Sequence, residues 1–387
     1  MTKTILYIHQ SAELYGSDKA LYYLAQGINK HLDFNVIVVL PHEGPLKKLL
    51  TSNNIRVIVS PVIKVSRELF SIKQLMLLPF KIISSIKALH KALDGTKIDI
   101  VHSNTLAVLL GAFYANRYKI KHIWHIHEII RKPKIVSILF PTLVSVFSDV
   151  VVFNSMASRD FLCNKRKTLY KKSIVNLNGM TRDSELTPIE NIKDIRKELF
   201  NASEKDLVIA LVGRISKWKG QHLLLEAFHN LKKEFKTLKL MFIGSTPPNQ
   251  EYLQKNLNDK IIDFSLENDC KIIPFQNDVW SVWDSIDLAI IPSTEPEPFG
   301  LVAIEAMLAR KPVIAAKHGG LVEIIVDNVT GYFFEPNNVV DLENKIKKLT
   351  TNSIKMSNFG IAGFERADNT FSLQTHIYKF IKIYKSM

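Results

Sequence analysis

Apolar runs rich in Val and Ile recur along the chain, and between most of them lie stretches whose apolar positions return every three to four residues. In the first half the runs predict strands over 4–9, 36–40, 56–60, 98–102, 122–127 and 150–154. Between them, helical spacing predicts helices near 18–30, 45–52, 79–93, 106–117 and 156–164. The second half repeats the alternation, with strands over 207–213, 240–244, 271–275, 287–292 and 312–316, and helices after Lys219-Gly220, over 301–310 and after Gly319-Gly320. Strands that are apolar throughout suit a parallel sheet buried on both faces, and helices between them supply the crossovers. The fold class is therefore α/β, with two doubly wound Rossmann-like domains. A polar stretch containing Pro188, residues 181–191, has the composition of a linker between them.

The length of 387 residues agrees, since one domain takes roughly 100–200. Two cysteines, Cys163 and Cys270, cannot build a disulfide framework and fit a reducing, cytoplasmic setting. Residues 1–3 lead straight into a strand, so no secretory signal is expected. No apolar run reaches the ~18 residues of a spanning helix, and the longest, 135–147, is interrupted by Pro141.

Net charge changes the picture more. The chain carries +14, and residues 1–180 hold 25 Lys plus Arg against 10 Asp plus Glu, whereas the remainder holds 26 against 27. The first half is the half that meets an anionic partner. No zinc finger, RRM motif or basic recognition helix accompanies the charge, so no nucleic acid is expected.

The chemistry concentrates in residues 287–325, a strand, loop, helix, strand and diglycine turn. Ligands of a parallel sheet bind beyond the carboxyl ends of its strands, where this loop and diglycine fall. Ionised Glu297 and Glu305 can accept bonds from ribose and hexose hydroxyls. The helix starts at Phe299-Gly300-Leu301 and Gly319-Gly320-Leu321 can aim backbone N–H groups at a diphosphate. The run Pro292-Ser293, Glu297-Pro298-Phe299-Gly300, Glu305-Ala306-Met307, Lys311-Pro312-Val313-Ile314-Ala315, His318-Gly319-Gly320 and Thr330-Gly331 resembles the retaining glycosyltransferases of family 4, which have the GT-B fold.

The resemblance implies two Rossmann-like domains facing a central cleft: an acceptor domain over 1–180 ending at Asn178-Gly179-Met180, a donor domain over 181–370, and a helix over 371–387 returning to the first domain. It also implies roles. Arg214 and Lys219 would neutralise the leaving diphosphate, and the loop beginning at Phe275 would hold the nucleobase. His127, followed by Glu128 where the family has Asp, would touch the donor sugar, with His125 and His102 held as structural. The loop before the first helix carries Gly16 but has Tyr15 where a second glycine is usual; it is either a donor-contacting loop or an ordinary strand-to-helix turn, capped by Ser17 or Asp18. Trp280 and Trp283 read as core, and Phe371, Leu373, Ile377, Tyr378, Ile381 and Tyr384 as the apolar face of the last helix.

The expected activity is retaining transfer of a sugar from a nucleotide diphosphate to a hydroxyl, with Glu297, His127, Arg214 and Lys219 at the reaction centre. No cofactor and no metal is expected, because Asp-x-Asp is absent and the chain's own cations can stabilise the charge. An epimerase of the same architecture and an inactive binding protein are the alternatives. The basic residues Lys64, Arg67, Lys73, Lys81, Lys87 and Lys91, interleaved with Leu69, Phe70, Ile72, Leu75, Met76, Leu77, Leu78 and Phe80, and the group Arg131-Lys132-Pro133-Lys134 before 135–147, suggest peripheral contact with an anionic membrane and a lipid-linked saccharide as acceptor. The enzyme would then work on the inner face of the cytoplasmic membrane.

Overall fold

The computed structural model describes residues 2–63, 72–131 and 133–387. The chain divides into two compact units, Met1–Gly179 with Leu373–Met387, and Met180–Ser372. The first is a parallel sheet of β1 (Lys3–His9), β2 (Phe34–Leu40), β3 (Arg56–Val59), β4 (Ile100–Asn104), β5 (Lys121–Ile126), β6 (Val150–Phe153) and β7 (Ser173–Val175), in the order β3-β2-β1-β4-β5-β6-β7. Its helices are α1 (Gly16–Asn29), α2 (Pro45–Ser52), α3 (Ile72–Leu93), α4 (Leu110–Tyr118), α5 (Lys134–Phe147) and α6 (Met156–Cys163).

Alternation along β1 decides which side chain enters which core. Ile5 and Tyr7 join one apolar cluster, while Leu6 and Ile8 join another on the opposite face. The C-terminal helix, Leu373–Ser386, completes the first cluster with Phe380, Ile383 and Tyr384. Tyr384 is buried and Ile377 and Ile381 pack against the same cluster, as their spacing predicts; His376, Phe380 and Ile383 are buried with them, whereas Tyr378, expected on that face, is exposed. Close approach to α1 sets this arrangement, for a Cβ on Gly27 would overlap the Ile377 side chain.

Several boundaries also differ. Strand β4 ends two residues later than predicted, at Asn104, because Asp99 bonds with Thr4 through both its side chain and its backbone and anchors the start of the strand. Helix α4 starts at Leu110 instead of 106 because the preceding turn is held elsewhere: Leu106 N–H donates to Glu128 and Leu109 N–H to the Ile63 carbonyl. Pro79 and Pro141 lie inside α3 and α5 and do not interrupt them. A proline removes one helical bond, and burial of Val136, Phe140 and Val144 keeps α5 in place despite it.

The second unit has strands β8 (Leu207–Val212), β9 (Leu238–Ile243), β10 (Cys270–Ile273), β11 (Leu288–Ile291), β12 (Val313–Ala316) and β13 (Gly331–Phe334), all parallel, in the order β10-β9-β8-β11-β12-β13. They alternate with α7 (Ile189–Asp194), α8 (Gln221–Lys232), α9 (Tyr252–Asp263), α10 (Val279–Asp284), α11 (Leu301–Leu308), α12 (Leu321–Ile324), α13 (Val339–Thr350) and α14 (Ser353–Thr370). The stretch read as a linker is tied down. Arg182 donates to both Asp284 oxygens at 2.8 and 2.6 Å, Trp280 donates to Asp183 at 2.6 Å, and the stretch runs into α7.

Candidate active site

In a doubly wound sheet the crevice opens where the strand order reverses. In the second unit that point lies between β8 and β11, and the loops after β8, β11 and β12 gather there. Lys219, in the loop before α8, donates to Glu297 Oε1 at 2.6 Å, and Ser293 Oγ donates to the same oxygen at 2.6 Å. Glu297 is 4% exposed. Among the described residues nothing donates to Glu297 Oε2, which is left as an acceptor. Arg214 stands exposed just beyond β8, and Gln221 secures its carbonyl at 2.9 Å.

The glycines of this site are there for close packing. A Cβ on Gly319 would fall on the Glu297 carbonyl, and one on Gly320 would sit 2.5 Å from Phe299 Cα. Gly320 N–H donates to the Glu297 carbonyl at 2.7 Å, and α12 spans only Leu321–Ile324. The expectation of a free N–H at Gly320 is therefore corrected: the diglycine fixes the glutamate loop. Gly300 precedes α11 with φ 115°, turning the chain so that Leu301 opens the helix and Phe299 is buried. His318, beside the diglycine, approaches the Ser293 carbonyl at 2.7 Å and so braces the same loop.

Glu305, on α11, is buried and accepts from the Trp283 indole at 3.3 Å. Trp283 is thus core, as its spacing indicates, and also a partner of the carboxylate. Phe275, past the end of β10, is 42% exposed, and its N–H donates to Ser245 Oγ.

The first unit reverses strand order between β1 and β4, and a second polar group gathers at that point. His9 ends β1, Asn104 ends β4, and His127 follows β5. His9 Nε2 lies 2.7 Å from Asp18 Oδ1, Asn104 Nδ2 lies 3.0 Å from His9 Nδ1, and His127 Nε2 lies 3.1 Å from Asn104 Oδ1. The first helix begins at Gly16, not at a Ser17 or Asp18 cap: Asp18 sits inside the first turn and its Oδ2 accepts the Tyr15 N–H at 2.9 Å. Glu128 Oε2 accepts from both Leu106 N and His127 N. His102 bonds Tyr384 at 2.8 Å, and His125 is sealed among His127, His376 and Phe380 with neither ring nitrogen bonded.

Burial sets the protonation of this histidine group. It pushes His127 down to about 3, helped by His9 and His376, and lowers His122 and His376 to about 4. His102 and His125 fall well below the ordinary range for the same reason. Burial raises Glu128 against the two N–H donors that favour its charge.

Asp18, His9, Asn104, Ser293 and Trp283 were not assigned to a site by the sequence. The available signal is a polar residue closing an apolar strand, which His9 and Asn104 both show. Nothing in the sequence pairs them.

Family profiles cover most of the chain. The one described as Glycosyltransferase Family 4 matches residues 16–179, and the one described as Glycosyl transferases group 1 matches residues 192–366. The chain belongs to the group 1, family 4-like glycosyltransferases. The chain is 33% identical to the lipopolysaccharide 1,2-N-acetylglucosaminetransferase of Salmonella typhimurium, over 41% of the chain and 43% of the relative. It is 28% identical to the alpha-1,3/1,6-mannosyltransferase ALG2 of Dictyostelium discoideum, over 64% of each. The matched stretch thus spans less than two thirds of either relative's length. Among solved structures, Anabaena HepE in complex with UDP and glucose matches with a TM-score of 0.86 and 25% identity over 99% of each chain. The fold is GT-B.

Proposed function

We propose that this glycosyltransferase moves a sugar, with retention, from a nucleotide diphosphate sugar to a hydroxyl of a lipid-linked saccharide. The observation that carries the reading is the buried Glu297, fixed through Oε1 by Lys219 and Ser293 with Oε2 left as an acceptor, beside exposed Arg214 at the switch point of the second unit. Glu297 Oε2 accepts from a donor-sugar hydroxyl, and Glu305, steadied by Trp283, accepts from the ribose. Arg214 and Lys219 carry the charge that grows on the diphosphate as its bond to the anomeric carbon breaks. The acceptor oxygen bonds to that carbon on the same face, and its proton passes to the departing phosphate. The N–H groups of the first turn of α11, the Phe275 loop and Gly16 complete the donor contacts, and His127 meets the sugar.

HepE, solved also with UDP-glucose, supports a UDP-sugar as the first donor to test. Purified protein is incubated with UDP, GDP and ADP sugars, with and without EDTA, and free nucleotide is assayed. Nucleotide release that needs a hydroxyl acceptor and survives EDTA is expected. Isomerised sugar with the nucleotide retained would mean an epimerase, and neither product would mean a binding protein.

The lipid part of the proposal rests on the first unit's outer surface. Leu78 and Ile82 of α3 pack with Val136, Phe140 and Val144 of α5 in one core cluster, which satisfies the inward faces. The outward faces are apolar as well: Met76 is 73% exposed, Phe80 72%, Ile138 69% and Val146 63%. A core-facing helix has no need of these, whereas a lipid-facing one does. Lys81, Lys87, Arg131 and Lys134 lie on or beside the two helices. Lys64, Arg67, Leu69, Phe70 and Lys132, with the side chains of Ile72, Lys73 and Leu75, lie outside the described residues. Among the described residues no helix is long and apolar enough to cross a membrane, so the proposed contact is peripheral, at the inner face of the cytoplasmic membrane. At ~1 kcal/mol per basic residue near anionic lipid, four give roughly 4 kcal/mol. Sedimentation with anionic vesicles at low salt should be lost when Lys81, Lys87, Arg131 and Lys132 become Glu. Binding that survives those changes would favour a soluble acceptor.

A further inference from the structure

We propose that Asp18, His9 and Asn104 are positioning residues that fix the ring tautomer of His127 and leave its Nδ1 as a hydrogen-bond acceptor. The hydrogen-bond order follows from chemistry that begins at Asp18. Its carboxylate takes the Tyr15 N–H on Oδ2 and faces His9 Nε2 at 2.7 Å on Oδ1, so His9 carries its proton on Nε2. His9 Nδ1 is then a lone pair, and it accepts from Asn104 Nδ2 at 3.0 Å. That turns Asn104 Oδ1 toward His127, and an amide oxygen only accepts, so His127 holds its proton on Nε2, 3.1 Å away. Nδ1 is left without the proton.

The three links come from three elements at the switch point of one sheet: the end of β1 with the first turn of α1, the end of β4, and the residue after β5. Burial holds them there. His9 and Asn104 are fully enclosed, Asp18 is 1% exposed, and His127 keeps 8%. The backbone next to Asn104 is over-determined: Thr105, β-branched and buried, sits at φ 100°. Its N–H donates to the His125 carbonyl at 2.8 Å, and its own carbonyl accepts from the Trp124 indole at 3.0 Å. Asn104 therefore cannot easily swing away, and its amide chooses the polarity of His127.

On the proposed function, an acceptor Nδ1 takes a hydrogen bond donated by a hydroxyl of the donor sugar, whereas the other tautomer would point an N–H at it. That bearing on transfer rests on the reading of the chain as a nucleotide-sugar transferase, but the tautomer does not. The arrangement has one competitor. His9 Nδ1 also lies 3.2 Å from the Asn104 backbone carbonyl, and a doubly protonated His9 would donate there. The Asn104 amide would then turn over and give His127 the opposite tautomer.

The test is side-chain ¹⁵N NMR of the ¹⁵N-histidine-labelled protein at neutral pH, with His127 assigned from the signal lost in His127→Gln. A protonated Nε2 and bare Nδ1 are expected, and the reverse would overturn the proposal. Asn104→Leu should mix the tautomers of His127 and lower kcat about tenfold while KM for the nucleotide sugar changes less than twofold. Asn104→Asp, which still offers an oxygen to His127, should keep the Nε2 proton. If Asn104→Leu does not fold, the wild-type and Asn104→Asp spectra still decide: loss of the Nε2 proton in Asn104→Asp, or an unchanged tautomer in folded Asn104→Leu, would overturn the relay. Absence of transfer with every donor would defeat the proposed function and leave the spectra to judge the relay separately.

Discussion

Lys219 Nζ and Glu297 Oε1 lie 2.6 Å apart, with side chains 19% and 5% exposed, so the cation proposed for the leaving diphosphate is already engaged by the carboxylate proposed for the sugar. The two act as a unit. Removing either partner strands a largely buried charge, which is destabilising in general by about 3–5 kcal/mol, with Ser293 and the open edge of the site reducing that figure here. Lys219→Ala should therefore lower the melting temperature as well as kcat. The loss in kcat should be the larger, on the order of 10²-fold, because the cation is also missing from the transition state. A double-mutant cycle with Glu297→Gln, read by both denaturation and turnover, should show coupling in both. Additive effects would separate the two residues.

Glu305→Gln should weaken binding of the nucleoside diphosphate by roughly 10- to 150-fold, the equivalent of losing ~1.5–3 kcal/mol of charged hydrogen bonding. Trp283→Phe removes the indole that steadies Glu305 and should cost less, about 1 kcal/mol or fivefold. Isothermal titration with UDP measures both. Unchanged affinity in Glu305→Gln would take that residue out of the site.

Gly319→Ala puts a Cβ onto the Glu297 carbonyl at a residue whose φ is 60°. The glutamate loop must move. We expect nucleotide binding to fall at least tenfold and the melting temperature to drop, with Gly320→Ala behaving alike because of its contact with Phe299. Calorimetry and UDP titration on the same preparations check this, and normal binding would show that the loop tolerates the shift.

His102, His122, His125, His127 and His376 are all held neutral by burial, which depresses His122 and His376 from 6.5 to about 4, His127 to about 3, and His102 and His125 well below the ordinary imidazole range. Their folded values are depressed, so the unfolded chain binds more protons in acid. The stability linked to these groups is complete above about pH 6.5 and is lost as pH falls toward 4. Each proton of difference contributes about 1.4 kcal/mol per pH unit. Urea denaturation between pH 8 and 4.5 should show a steep acid slope. His125→Phe should flatten it by about one proton without loss at neutral pH, since neither nitrogen of His125 is bonded. An unaltered slope would mean that His125 takes up a proton in the folded state.

His127→Ala should impair transfer while leaving UDP affinity within about twofold, because the imidazole is assigned to sugar and not to nucleotide. Equal loss of both activities, measured by product formation and titration, would indicate a structural role.

The sequence by itself determined the two parallel sheets, because the order of apolar runs and helical spacing is a local property and a strand buried on both faces must be apolar throughout. It also brought Glu297, Glu305, Arg214 and Lys219 forward as a set, through a motif whose spacing survives in one dimension. It did not show that Lys219 and Glu297, 78 positions apart in the chain, bond each other, or that Asp18, His9, Asn104 and His127 form one chain of hydrogen bonds. Those pairings are made where the strand order reverses, which depends on how distant strands dock. The same holds for the diglycine: two glycines before a helix read as a phosphate cradle, and only the backbone packed against them shows that the Gly320 N–H belongs to the Glu297 carbonyl. Helical spacing marked the last helix as amphipathic and put Ile377, Ile381 and Tyr384 on its packed side, but only packing shows that Ile377 fits against Gly27, whose missing side chain admits it, and that Tyr378 stays exposed. Propensity and spacing act through neighbours along the chain, whereas hydrogen-bond polarity and close approach are settled between groups that only folding brings within reach.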